Sequence, residues 1–358
     1  MSLLRRSLLA APLALPAVAM GRRAAAADPF KVAFLYVSPI GDAGWTFQHE
    51  MGRRAVDAAL GAAVKTSYVE NVPEGADAER VIRRLAQDGN QLIFTTSFGY
   101  MNPTEKVAKA FPKQKFEHAT GYKRGPNLAT YSARYYEPRY LTGIVAGRLS
   151  KTGVIGYVAA FPIPEVIQGI NAVLLGARSV NPNATIKVIF TSSWFDPGKE
   201  RAAADTLVAQ GADYLTQHTD STAVVQAAEE KGVWVSGYDS DMLKYGPKTH
   251  TTAVEMHWDD YYIDRVKKAI AGTWVTGDVW GGMASGMVKL SKFNPNLPPA
   301  LVAEIGAKTE EIKSGRFVVF TGPLKDQSGA VRVPAGVKMG DPEILGMNWF
   351  LDGVQGKV

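Results

Sequence analysis

From Lys31 onward the chain alternates two hydrophobic patterns. Short apolar runs such as Lys31–Val37 (KVAFLYV) and Gln91–Ser97 (QLIFTTS) predict buried strands. Between them, apolar positions three or four apart predict helices. Phe47, Met51, Ala55, Ala59 and Leu60 share one side of Thr46–Leu60, and Ala78, Ile82 and Leu85 share one side of Ala76–Leu85. Strands are also expected at Val64–Asn71, Lys115–Thr120 and Ala129–Ala133, with helices at Glu105–Phe111 and Pro138–Leu149. The pattern then restarts. Strands at Val154–Phe161, Thr185–Ser192, Tyr214–Gln217 and Val233–Gly237 alternate with helices at Glu165–Val180, Gly198–Gln210 and Thr222–Lys231. A strand at His250–Glu255, a helix at Asp259–Ala271, a Gly-rich strand-like stretch at Asp278–Ser291 and a helix at Pro298–Ser314 follow. Short strand, longer helix, short strand, repeated twice, means parallel sheets covered by helices. The expected fold class is therefore α/β with two lobes. The best seam is Lys151-Thr152-Gly153, with lobes at 28–150 plus about 253–285 and at 151–252 plus about 286–358.

The first 27 residues read differently. Arg5 and Arg6 precede an apolar run, Leu8–Met20, and small residues at Ala24–Ala27 offer a cleavage site. The run is too short to span a membrane and holds two prolines, so an export signal is expected, by the general or the twin-arginine route. The chain has 358 residues, and its formal charge of +6 includes Arg5, Arg6, Arg22 and Arg23, so without the signal it is only +2. That argues against nucleic-acid binding. With no Cys, disulfides, thiolate metal sites, Cys nucleophiles and a lipid-modified Cys are excluded, and no metal or other cofactor is expected from five His. A soluble mature protein outside the cytoplasm is the expectation.

In a two-lobed α/β protein the strand ends of both halves face the cleft, and open sheets bind ligands there. Trp45 follows the loop Gly41–Gly44 after the first strand; it either covers its own helix or faces the cleft, and topology favours the cleft. No G-x-G-x-x-G accompanies it. Trp194, in Ser192–Pro197, holds the equivalent place in the second half; the two are either unrelated surface aromatics or, opposed across the cleft, a clamp on both faces of a flat ring, and spacing alone favours neither. Asp239 ends a strand, where a carboxylate accepts hydrogen bonds from a ligand. Glu255 ends another, as a ligand contact or as half of an ion pair. Phe98 and Tyr122 line or merely close the first half, and Asp42, Phe161 and His218 are further candidates at strand ends. His218 beside Asp220 raises acid–base chemistry, but without a nucleophile motif a helix cap at Thr219 or Asp220 is the better reading.

Several segments, in order, resemble one family over nearly the whole chain. They are Asp42–Trp45, Glu137–Gly147 (EPRYLTGIVAG), Gly156–Gly169 (GYVAAFPIPEVIQG), Phe195–Lys199 (FDPGK), Gln210–Asp213 (QGAD) and Gly237–Asp241 (GYDSD). The family is the basic-membrane-protein (BMP), PnrA-like group of ABC transporter substrate-binding proteins. The resemblance implies a periplasmic-binding-protein-like fold of type I, no enzymatic activity, and delivery of a purine base or nucleoside to an ABC permease and ATPase by a monomer. It matches Trp45 and Trp194 to the stacking pair of nucleoside-binding relatives and Asp239 to their ribose-binding Asp. Their ribose-binding Lys falls on Glu255, a departure that leans toward a free base. The remaining classes are a binding protein for another small solute, a sensory receptor, and an exported nucleoside hydrolase using Asp42, Asp239 and His218.

Overall fold

The computed structural model describes residues 28–357; the expected export signal lies outside them. In chain order the strands of the first half are β1 (Phe30–Leu35), β2 (Val64–Val69), β3 (Leu92–Thr95), β4 (Lys115–Ala119) and β5 (Leu128–Ala133). Those of the second are β6 (Val154–Ala159), β7 (Thr185–Phe190), β8 (Tyr214–His218), β9 (Trp234–Asp239) and β10 (His250–Met256). Three later strands extend these sheets: β11 (Asp278–Gly281), β12 (Val288–Leu290) and, after the small hairpin β13 (Leu324–Lys325) and β14 (Val331–Val333), β15 (Val354–Gln355). The helices are α1 (Trp45–Leu60), α2 (Ala76–Gln87), α3 (Met101–Ala110), α4 (Tyr136–Leu149), α5 (Pro164–Arg178), α6 (Pro197–Ala209), α7 (Ala223–Lys231), α8 (Asp259–Ile270), α9 (Pro299–Lys313) and α10 (Asp341–Leu345).

The sheets repeat one topology. The first runs β11-β5-β4-β3-β1-β2 and the second β12-β10-β9-β8-β6-β7-β15. Pairing is parallel throughout except where β12 closes on β10. Buried parallel strands must be apolar on both faces, which is why β3 reads LIFT with every side chain buried. In each sheet the strand order reverses next to its first strand, between β1 and β3 and between β6 and β8. Those are the points where loops part and leave a crevice at the C-terminal strand ends.

The chain changes sheets three times. It leaves the first after β5, and α4 already belongs to the second lobe because it packs tightly on α5. Gly143, Gly147 and Gly176 permit this, since a Cβ on any of them would collide with the facing helix backbone. The crossing thus falls near Arg134–Tyr135, ahead of the seam expected at Lys151–Gly153. The expected return at about residue 253 falls inside β10, a strand of the second sheet; the chain leaves only after Met256. Buried Glu117 on β4 anchors that return by accepting from Tyr261 Oη at 2.7 Å, Trp274 Nε1 at 2.6 Å and Arg265 Nε. Asp278–Ser291, expected as one strand-like stretch, is split by a turn at Met283–Ser285 and left-handed Gly286 into β11 and β12, one in each sheet.

Candidate functional site

The lobes meet in a narrow slot between these strand ends, with about 320 Å³ of space free of protein atoms when its solvent-open mouth is included. The first lobe contributes Val37, Trp45, Ser97, Phe98 and Thr120. The second contributes Glu165, Trp194, His218, Asp220 and Tyr238. Four non-glycine residues among those described have left-handed backbones: Asn71, Thr120, Ser192 and Asp239. Each ends or follows a strand (β2, β4, β7 and β9) on the cleft side. Such strain persists only where the surroundings enforce it.

Two indoles from opposite lobes line the slot. Trp45 opens α1 and is 8% exposed. Its Nε1 donates to the Thr96 carbonyl at 2.6 Å, and its ring stands edge-on to His49 and Trp258. Trp194 follows β7 and is half-buried. It makes an edge contact with Phe161 at 5.1 Å, and its carbonyl accepts from the Asp220 amide at 2.9 Å. Its Nε1 donates across the cleft to Glu74 Oε1 at 3.2 Å.

A buried polar cluster adjoins the slot. Asp239, next to the lining residue Tyr238 but outside the lining itself, is fully buried, and neither carboxylate oxygen has a partner. Asp220 Oδ2, Tyr238 Oη and His218 Nδ1 are likewise buried and unpartnered. Burial, reinforced by the neighbouring acids, pushes the Asp220 carboxyl well above the usual range. Burial also raises Asp239, against the pull of the Arg139 guanidinium. Burial pushes Glu165 up to about 8. His218, 3.4 Å from Glu165, is held neutral by burial and by Arg139. Arg139 is the cation of the cluster. It donates to the Gln217 carbonyl at 2.6 Å and Thr216 Oγ1 at 3.1 Å, and lies 3.9 Å above the Tyr238 ring. Unsatisfied buried acceptors are costly in an empty protein and are satisfied by a ligand that brings N–H or O–H groups.

The other expected residues lie elsewhere. Asp42 is on the rim, 2.5 Å from Lys244 Nζ and also bonded by Tyr245 Oη, outside the slot lining. Phe161 lines the opening on the Trp194 side. Tyr122, 66% exposed, borders a second cavity that shares Phe98, Thr120 and Glu165 with the slot. Glu255 does not line the slot; it accepts from Gln48 Nε2 at 3.4 Å and stands 3.5 Å from His257. Sequence reasoning missed Glu165, Arg139 and Glu74, and treated Asp220 as a cap. Only the Pro164-Glu165 start of a helix after a strand signalled a cleft-facing acid.

The lobes are in contact. The Gly44 amide donates to Ser240 Oγ at 2.9 Å, and a Cβ on Gly44 (φ 95°) would collide with the Asp220 carbonyl. Gly44→Ala is therefore expected to hold the lobes apart and to weaken ligand binding about 10-fold or more, with a modest loss of Tm. Calorimetric titration beside a thermal melt checks this; unchanged affinity refutes it.

The model of the family described as ABC transporter substrate-binding protein, PnrA-like, matches residues 30–320. The chain belongs to this family. As a PnrA-like substrate-binding protein it works with a small-molecule ligand and membrane transporter partners, and the family is one of binding proteins rather than enzymes. Such proteins generally act outside the cytoplasm, and no helix among the described residues is long and apolar enough to cross a membrane. A purine-binding protein of Brucella abortus (strain 2308) is 52% identical over 340 residues, covering 95% of this chain and 97% of that one. A Haloferax volcanii protein, provisionally named an ABC transporter glucose-binding protein, is 41% identical over 82% of this chain and 75% of its own. An ABC transporter solute-binding protein structure from Aeropyrum pernix K1 superposes with a TM-score of 0.69 at 23% identity, over 83% of this chain and 93% of that one. The fold is thus the type I periplasmic-binding-protein-like fold expected from the sequence.

Proposed function

We propose that this PnrA-like protein binds a purine base or purine nucleoside in the interlobe slot and presents it, as a periplasmic monomer, to the permease and ATPase of an ABC importer. The ring stacks between Trp45 and Trp194, and its N–H groups, or ribose hydroxyls, satisfy Asp220 and Asp239. One observation carries the reading: two indoles on opposite lobes border a narrow slot whose buried acceptors lack partners. The purine-binding name of the 52% identical relative supports it. Binding from both lobes favours the closed state by differential contact. Because Glu255 faces Gln48 and His257, choice between base and nucleoside falls to the slot's own acids. A hexose is the second reading, favoured by the name of the Haloferax volcanii relative and by the same acceptors.

The test is a thermal-shift panel of purine bases, nucleosides, pyrimidines and hexoses on protein stripped of bound ligand, followed by titration. Purines are expected to raise Tm and hexoses to leave it unchanged. Trp194→Ala is expected to weaken purine binding by about 10- to 100-fold, the stacking loss being about 1–3 kcal/mol. A Tm shift with glucose alone replaces the purine reading, and unchanged purine affinity in Trp194→Ala removes the clamp.

A further inference from the structure

Glu74 lies in the loop between β2 and α2, on the first lobe, and is half-buried. One of its carboxylate oxygens collects three donors. Ser97 Oγ at 2.5 Å and the Gly99 amide at 2.9 Å come from its own lobe, and the indole N–H of Trp194 reaches it from the other at 3.2 Å. The niche is shaped for this carboxylate, because a Cβ on Gly99 would collide with it. Trp194's contacts with Phe161 and the Asp220 amide both come from its own lobe. Glu74 is thus the group that ties its indole to the lobe opposite.

We propose that Glu74 is a positioning residue of the ligand site, fixing the indole of Trp194 over the slot as the lobes close. The inference rests on the reading of Trp194 as a stacking residue. An indole has a single N–H, so a carboxylate already oriented by Ser97 and Gly99 selects one ring orientation with little further ordering. A bond made across the cleft exists only when the lobes meet. It adds to the preference of the closed state and slows ligand release.

A double-mutant cycle tests this with adenine as the probe. Trp194→Phe keeps a ring and removes the N–H; Glu74→Ala removes the acceptor. Each is expected to weaken adenine about 10-fold, mainly by faster dissociation, and the double variant to be no weaker than either single. Glu74→Gln, which keeps an acceptor oxygen, recovers most of the loss. If the two losses multiply, Glu74 merely braces Ser97 and Gly99, and the proposal is overturned. The indole resonance of Trp194 in ¹⁵N-labelled protein, assigned by its absence from Trp194→Phe, gives a readout independent of ligand identity. It is expected to move upfield in Glu74→Ala, and an unmoved resonance overturns the proposal. If the wild-type protein binds no purine, the purine reading falls, and the same resonance measured with glucose as the probe decides on Glu74.

Discussion

Replacing Arg139 by Met is expected to cost about 3–5 kcal/mol of stability near neutral pH. The side chain is fully buried, so the change removes a cation from within a cluster of acids. Arg139 lowers the carboxyls of both Asp239 and Glu165, which burial pushes upward. It also holds the Gln217 carbonyl and Thr216 Oγ1 and covers the Tyr238 ring, contacts that Met replaces only in volume. Without the guanidinium the acids rise further. An acid raised in the folded state contributes stability that is present below its unfolded value and lost as pH climbs through the folded one. The penalty in Arg139→Met is therefore expected to grow from about pH 5 to about pH 8, as the cluster is asked to ionise without its cation. Urea unfolding at the two pH values measures it. A penalty independent of pH would mean that packing rather than charge dominates.

Asp239→Asn is expected to act in opposite directions on stability and binding. In the ligand-free protein Asp239 is a buried carboxyl without a hydrogen-bond partner, and its raised pKa means that ionisation opposes folding. By the same sign rule, its stabilising contribution is complete below the unfolded carboxylate range and fades as pH rises through the folded value. Asn removes that pH-dependent loss. It also tolerates the left-handed backbone at this position, φ 67°, better than most residues. Tm of the ligand-free variant is expected to rise by a few degrees near pH 8 and to change little near pH 5. Purine affinity is expected to fall by about 10-fold or more, because a carboxyl that can ionise against a ligand's N–H or O–H groups is exchanged for a neutral amide that cannot. Melts at both pH values, with and without adenine, separate the effects. A lower Tm at both would assign Asp239 to the fold instead of the ligand. A binding site that destabilises its own empty state is the usual relation between activity and stability.

Asp220, Tyr238 and His218 share this condition, which is why the slot reads as a site at all. Buried side chains elsewhere that lack partners are mostly imidazoles and an indole, such as His250 and Trp258, whereas the acid Glu117 is satisfied by Tyr261, Trp274 and Arg265. Both clusters are acidic, buried and close to an arginine. Only the one at the slot leaves carboxylate oxygens without partners, and Asp220 among them lines the slot.

Much of the architecture was legible in the chain itself. Strand runs such as Leu92–Thr95 are apolar because both faces of a parallel sheet are covered, and helices such as Ala76–Gln87 carry a one-sided apolar stripe. Their alternation was enough for two α/β lobes with a cleft at the strand ends, and strand-to-helix loops were enough to bring Trp45, Trp194 and Asp239 into consideration. Local pattern could not tell which lobe a helix joins. That depends on partners distant in sequence, as when Gly143 and Gly147 let α4 close on α5 and draw the crossing toward Arg134. It could not divide Asp278–Ser291 between two sheets, because each piece is too short to show a period of its own. Nor could it separate Asp42, paired with Lys244 on the rim, from Asp220, left open in the slot. Sequence alone determined the longer elements as far as the helix ending near Ser314 and their order, because periodicity and turn residues act over a few positions. Tertiary structure alone decided which acids lie buried beside one arginine and which indole is held by the opposite lobe, because burial and long-range contact belong to the packed chain.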